Sequence, residues 1–591
     1  MSNQNLKELR DLMKERGIDV YIEPTSDPHQ SEYVAPHYKG RDFLTGFTGS
    51  AGMAVVTMEK AILWTDGRYF IQAENQLKGS GFELYKMHTP GFPSYQEWLK
   101  ENLKEKSVIG VNGEIVSEGF VEEILDKLES LEPLIYDGED LVGLVWVERP
   151  GLPKGKVIKL DIRYSGESTE KKIEKIREDM VSEGADIFLL GSLDDIAWLF
   201  NIRGSDIKNN PVVISYAVVT RDQAILFVDS EKVDETTKEY LKLEGVNTME
   251  YEEIFDFVSS ITDDKVIVLE KGRVNRKLYS AIPEECEIID VQNLTSLPKA
   301  IKNEVEIENQ RLAYTKDCVA LTKFFYWLDN NISSAEITEY DAALKLLGYR
   351  EQIEGFQEPS FDTIAAYGEN AAMMHYSATK DNHAILKPKG LFLLDSGGQY
   401  FEGTTDITRT VALGELTDEE KRDFTLVLKG HINLISAKFL QGTSGHALDV
   451  LARYPLWQEG EDYKSGTGHG VGYYLNVHEG PHRISTAPNN VALEPGMIVT
   501  IEPGIYKGRM HGIRIENVAV VAEDVETYVG QFYKFDILSW CYIDPECINP
   551  NMLSEIEKDW VNNYNMQVYL KLSPFLTDNQ NAWLKDKTRK I

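Results

Sequence analysis

Cysteine is scarce in this 591-residue chain: only four occur, Cys286, Cys318, Cys541 and Cys547, and no two form a C-x-x-C pair. That excludes a disulfide scaffold and a zinc-finger frame, and it fits a reducing compartment. Basic residues are few beside acidic ones, 62 Lys and Arg against 96 Asp and Glu, for a net charge of -34. A surface of that sign repels nucleic acid and anionic membranes, so neither is expected as a partner. No apolar run approaches the roughly 18 residues of a membrane span, and the opening MSNQNLKELRDLMKERGIDV has no apolar signal core. A soluble, cytoplasmic protein is the expectation. Low-complexity segments are also missing, and with 42% hydrophobic and 27% charged residues the chain can build cores. At about 150 residues per domain its length suits three or four domains.

What is present begins with a repeat. LRDLMKERGIDVYIEP, from Leu9, is similar to IREDMVSEGADIFLLG, from Ile176, a shift of 167 positions that aligns Gly17 with Gly184 and Asp19 with Asp186. Downstream AILWTDG, from Ala61, matches AILFVDS, from Ala224. A helix, a glycine stop, a strand and a later hairpin strand thus recur in the same order, which predicts two related α/β domains over residues 1–150 and 151–298. The boundary falls in ERPGLPKGK, where Pro150, Gly151, Pro153 and Gly155 cluster. Residues 299–591 form the third part. There Ala313, Ala320, Phe324, Trp327 and Leu328 recur at helical spacing, Ser333 with Glu336 and Thr417 with Glu420 read as capping boxes, and GLFLLDSG, ITRTVALG, MIVTIEPGIY and IRIENVAVV read as strands. Helices and antiparallel hairpins alternating without a strict βαβ order predict an α+β fold.

In this third part carboxylates sit where strands should be buried. Asp395 ends LFLL, Asp406 lies in TTDITRTV, Glu502 ends MIVTI and Glu516 follows GIRI. A buried carboxylate costs several kcal/mol unless something compensates it, and four that converge repel one another and hold their protons unless cations are present. Two divalent ions would balance four negative charges. One imidazole is at hand, His469 in GTGHGVG, whose small neighbours allow close approach. From Asp395 to Asp406 the 11-residue spacing predicts a hairpin turning at Gly397-Gly398, and the 14 residues from Glu502 to Glu516 predict a second hairpin, so the four carboxylates can surround one cavity.

The set LFLLDSGGQYFEGTTDITRTV, GTGHGVGYYLNVHEGP, MIVTIEPGIY and GIRIEN resembles the metal-binding motifs of the pita-bread metallopeptidases, and within them the three-domain Xaa-Pro aminopeptidases. FTGSAGMAVVT and AILWTDGRYF in the first part and DWVNNYN near the end extend the resemblance over nearly the whole chain. It implies a pita-bread catalytic domain behind two creatinase-like α/β domains, with Asp395, Asp406, His469, Glu502 and Glu516 as ligands of two divalent ions. The same resemblance makes His375 and His478 the histidines that contact substrate and the developing oxyanion, Tyr506 and Arg514 supports behind the ligands, and Arg68 a contact to peptide substrate. The reaction implied is release of one N-terminal residue from a peptide whose second residue is proline, by a metal-bridging hydroxide with Glu502 as proton shuttle, in a homodimer. A donor set of four carboxylates and one imidazole suits manganese first, with zinc, cobalt and iron as the alternatives. Ser465 stands four positions before His469, where the family commonly has histidine.

Other readings compete. VHEGPH satisfies the H-E-x-x-H pattern of single-zinc proteases, but that chemistry needs a helix and Gly480-Pro481 would break one. His431 keeps step with Phe424, Val427, Leu428 and Ile435 and reads as a structural helix histidine, and Arg68 can simply pair with Asp66. A prolidase acting on Xaa-Pro dipeptides and a non-catalytic pita-bread interaction protein are the functional alternatives; intact ligand positions argue against the second.

Overall fold

The computed structural model describes residues 2–262 and 264–591, which divide into two compact units, one of Met1–Ile162 with Glu167–Ser296 and one of Arg163–Gly166 with Leu297–Ile591. Among the described residues no helix is long and apolar enough to cross a membrane.

The first unit contains the sequence repeat as a structural one. Helix Ser2–Arg16 leads through Gly17, at φ 67°, into strand Val20–Pro24, and helix Thr169–Glu183 leads through Gly184, at φ 76°, into strand Ile187–Leu190. Both glycines adopt the left-handed conformation that ends a helix without a Cβ clash. Each strand lies inside a six-stranded mixed sheet, and the two sheets share one strand order. In the first, Val20–Pro24 pairs antiparallel with Met53–Thr57 and parallel with Val108–Val111, and in the second, Ile187–Leu190 pairs antiparallel with Ser215–Thr220 and parallel with Val266–Leu269. The matched segments AILWTDG and AILFVDS supply the same hairpin strand, Ala61–Thr65 and Ala224–Val228. The two halves meet through equivalent helix starts: Ser117 and Asn275, each capping a helix, form an antiparallel bridge. Buried His29 joins them too, with Nδ1 2.8 Å from the Gly191 carbonyl and Nε2 3.0 Å from the Tyr251 hydroxyl.

In the second unit helix Glu304–Asn331 buries Ala313, Ala320, Phe324 and Leu328, as their spacing predicts. Thr417 and Glu420 do form a capping box, at the start of Asp418–Ile435. The box expected at Ser333 and Glu336 lies instead at Thr338 and Asp341, before helix Glu339–Arg350. Ser333 is used by the turn that closes the preceding helix, where the amides of Ser334 and Ala335 donate to the Asn331 carbonyl. Strands Ile364–Tyr367, Leu391–Ser396 and Ile407–Ala412 make one antiparallel sheet, and a six-stranded sheet runs in the order Lys438–Leu440, Gly530–Ile537, Asn517–Thr527, Ile498–Ile501, Gly468–Gly470, Glu479–Ile484. The hairpin Gly504–Lys507 with His511–Arg514 completes the set. Leu391, Phe392 and Leu394 pack with Phe424, Val427 and Leu428 of Asp418–Ile435 and with Val561 and Val568 of helix Glu555–Leu572, so the apolar faces of strands and helices close over one core.

Candidate metal centre

Register brings the carboxylates together. Leu391–Ser396 pairs antiparallel with Ile407–Ala412, with Ser396 opposite Ile407, so Asp395 and Asp406 fall at the same end. The turn is not at Gly397-Gly398, however. Gly398–Tyr400 continues as a strand paired with Phe356–Pro359 and Gly403–Thr404, so the connection leaves the first sheet before it returns. Gly397 serves close approach instead, since a Cβ there would lie 1.9 Å from the Thr405 carbonyl oxygen. Ile498–Ile501 pairs with Asn517–Thr527, Ile501 opposite Asn517, which sets Glu502 and Glu516 side by side just past the paired residues, with the expected hairpin between them. His469 enters from Gly468–Gly470, whose Gly470 pairs with Val499, and the Glu502 amide donates to the Thr467 carbonyl at 2.8 Å.

One donor atom each from Asp406, His469 and Glu516 lie within 4.8 Å of one another. His469 Nε2 is 3.6 Å from Asp406 Oδ2 and 3.5 Å from Glu502 Oε1. Asp395 Oδ2 accepts from Arg514, while its buried Oδ1 has no hydrogen-bond partner.

The protons of this cluster point to a cation. Burial first, and then repulsion from Glu516, Asp395 and Glu502, pushes Asp406 well above the carboxylate range; burial, then Glu502 and Asp395, does the same to Glu516. Burial raises Glu502 to about 7 among these protein groups alone. His469 is held well below its ordinary value, by burial and then by His478. Its Nδ1 lies 2.8 Å from the Gly470 carbonyl, which can only accept, so the neutral ring carries its proton on Nδ1. Nε2 is then a lone pair aimed at two carboxylate oxygens. A ring lone pair and carboxylate oxygens converging on one place is an arrangement that a bound cation satisfies, and a carbonyl fixing the far ring nitrogen is how histidine ligands are oriented.

Around the cluster, Arg514 donates from Nε to Thr408 Oγ1 at 3.1 Å and from Nη1 to the Tyr506 hydroxyl at 2.7 Å, and its Nη2 lies 3.5 Å from the carbonyl of Met374, next to His375. His478 packs edge-on against His469, ring centres 4.4 Å apart. Arg68 is not among these groups. It belongs to the first unit, where its Nε and Nη2 each donate to Asp66 at 2.8 Å. His431 is fully buried in its helix, edge-on to Trp560, as a structural histidine should be. His482 lies on a strand, Glu479–Ile484, so VHEGPH does not form the helix that a single-zinc site needs.

Family models match four stretches of the chain: Creatinase/Prolidase N-terminal domains at residues 5–138 and 148–306, Metallopeptidase family M24 at 308–523, and the C-terminal region of that peptidase family at 531–591. A probable Xaa-Pro aminopeptidase P of Coprinopsis cinerea is 40% identical over 617 residues, covering 100% of this chain and 98% of the relative. The chain belongs to the Xaa-Pro aminopeptidase P family of metallopeptidases. A second relative so named, from Laccaria bicolor, is 41% identical over 99% of this chain and 93% of its own length. The crystal structure of an X-prolyl aminopeptidase from Caenorhabditis elegans, described as a cytosolic enzyme with a di-nuclear active site, superposes with a TM-score of 0.95 at 35% identity, covering 100% of both chains. The catalytic unit therefore has the pita-bread fold, preceded by two creatinase-like domains, and the family implies two divalent ions.

Sequence reasoning missed the neutral groups that hold the candidate ligands. Thr408 Oγ1 donates to Glu516 Oε2 at 2.9 Å, and Thr500 Oγ1 accepts from the His469 amide at 3.1 Å and donates to Glu502 Oε1 at 3.4 Å. The available signal was alternation: Asp406, just before a buried strand, and Thr408 and Thr410 within it fall at every second position.

Proposed function

We propose that this chain is a dinuclear-metal aminopeptidase that removes the first residue from peptides whose second residue is proline. The observation that carries it is the convergence of Asp406, Glu516 and the lone pair of His469 in a chain that matches Xaa-Pro aminopeptidases from end to end. Asp395, Asp406, His469, Glu502 and Glu516 are assigned as the ligands. Two divalent ions in this set would polarise the scissile carbonyl and lower the pKa of water toward roughly 7.

The chain's own groups then do the rest. Glu502, beside Thr500 and 3.9 Å from Arg514 Nε, takes a proton from the attacking water and returns it to the departing proline nitrogen. His478, stacked edge-on to His469, donates a hydrogen bond to the oxygen that gains charge. His375 holds the leaving-group side, and Tyr506 and Arg514 keep Asp395 and Glu502 in place. Arg68 as a substrate contact rests on the resemblance alone. A bond preceding proline lacks an N–H, so alignment falls to a pocket for the ring, whose φ is already restricted.

Manganese is the proposed ion, the cytoplasm the proposed location and a homodimer the proposed assembly. The test is mass spectrometry of a peptide mixture with and without Mn²⁺. Loss of one residue before proline in peptides of three or more residues is expected. Cleavage confined to Xaa-Pro dipeptides would make the protein a prolidase, and no cleavage with any metal would overturn the reading.

A further inference from the structure

At the backbone carbonyl of Glu516 begins a hydrogen-bonded hub that the proposed chemistry does not use. Its centre is Arg409, three residues after Asp406 and only 2% exposed. Arg409 donates from Nε to the carbonyls of Cys541 and Tyr542, each at 3.1 Å. Nη1 donates to the carbonyls of Thr408, at 2.9 Å, and of Glu516. Nη2 donates to the Cys541 carbonyl at 2.8 Å, the Tyr564 hydroxyl at 2.7 Å and Asn517 Oδ1 at 3.2 Å. All these acceptors are neutral. A guanidinium this deeply buried persists because its planar fork meets every acceptor at once, not because a carboxylate pairs with it.

The hub joins two parts of the chain. On one side stand Thr408, Glu516 and Asn517, at the ends of the strands that carry the ligands. On the other stand residues 539–564. Asn517 Nδ2 donates to the Ser539 carbonyl at 2.8 Å, to Ser539 Oγ at 2.9 Å and to the Tyr564 hydroxyl at 2.9 Å. The Tyr564 oxygen also donates to the Cys541 carbonyl at 2.9 Å. The Tyr564 oxygen thus bonds Arg409, Asn517 and the Cys541 carbonyl together. Its ring is held on both faces, stacked on Trp560 at 5.2 Å and on Trp540 at 5.6 Å. The helix that carries it, Glu555–Leu572, has a capping box at Ser554 and Glu557, and Glu557 pairs with Lys429 of Asp418–Ile435 at 2.8 Å. The Tyr564 hydroxyl and the Glu516 carbonyl are thus linked through one guanidinium, that of Arg409.

We infer that Tyr564 is a positioning residue: through Arg409 and Asn517 it lets the C-terminal segment set the place of Glu516, and so the affinity of the metal centre. The inference rests on the reading of Glu516 as a ligand. Groups that orient ligands from behind are typically worth about 10- to 100-fold in metal affinity or activity.

Three full-length variants test it against wild type by titration of the metal-stripped protein with Mn²⁺, thermal unfolding and steady-state kinetics. Tyr564→Phe keeps the ring between its tryptophans and removes only the hydroxyl. Arg409→Lys keeps the charge and removes the fork. Val568→Ala trims a buried residue one turn further along the same helix, in the same core but with no polar group to join the hub's hydrogen bonds. Both hub variants should bind one of the two ions about tenfold or more weakly and lose kcat with little change in KM, while Val568→Ala lowers the unfolding midpoint and leaves the metal titration unchanged. Wild-type titration curves for both hub variants would overturn the inference, and so would equal weakening in Val568→Ala, since the effect would then be loss of packing. Glu516→Ala separates the two levels. If it binds both ions as wild type does, the ligand reading fails and the inference with it; if it loses an ion while Tyr564→Phe does not, the inference alone fails.

Discussion

A single imidazole shows how much of the site is decided by hydrogen-bond accounting. His469 faces a carbonyl on one nitrogen and carboxylates on the other, so its own proton cannot relieve the crowding of acceptors at Nε2. Without ions that relief must come from protons on the carboxylates. Glu502 makes this measurable. In the unfolded chain it titrates near its ordinary 4.5, and in the fold burial moves it to about 7. Below 4.5 both states hold the proton and the stabilising contribution is full; between 4.5 and 7 only the folded state holds it, so the contribution falls with rising pH and is gone above about 7. Metal-stripped wild type should therefore lose unfolding temperature with rising pH across that window more steeply than metal-stripped Glu502→Gln, and parallel pH profiles would contradict the assignment. The carboxylates proposed as ligands were legible in the sequence because an acidic residue closing an apolar run is costly and so conspicuous. Thr408 was not, because a threonine in a strand costs nothing and its bond to Glu516 depends on a pairing 108 positions away.

At the scale of elements, the hairpin from Glu502 to Glu516 and the long helix could be read from turn residues and helical spacing, since those signals are local. Two elements could not. The connection after Gly397 goes into a separate three-stranded sheet, because pairing with Phe356–Pro359 outweighs a tight turn. The capping box moved from Ser333 to Thr338 because the preceding helix needed Ser333 for its closing turn. Within GTGHGVG, read as allowing close packing, Gly468, Gly470 and Gly472 do so: a Cβ on Gly468 would lie 1.9 Å from the Thr500 carbonyl oxygen. Gly468→Ala should force the His469 strand away from Ile498–Ile501 and cost about 1–3 kcal/mol of stability. It should also weaken metal binding, whereas Gly460→Ala, in a loop with open space, should not. Equal metal titrations for the two would contradict the packing argument.

For the molecule as a whole, the repeat was visible because helix, glycine stop and strand recur at a nearly constant shift, and the two sheets share strand order and pairing. The contacts that join the halves, such as His29 to Gly191 and Tyr251, had no such signal, because a buried histidine with two neutral partners leaves no pattern in the chain. The acidic balance of the surface needs no counterpart in the catalytic unit, where the charge that matters is the small group that the fold takes out of water. The claim underlying all of this is that Asp395, Asp406, His469, Glu502 and Glu516 together hold two divalent ions. Plasma mass spectrometry of Mn²⁺-loaded, desalted protein measures it directly. Two ions per chain in wild type and fewer than one in Asp406→Ala are expected, and a variant that keeps both ions, or a folded wild type that keeps none, would contradict the account.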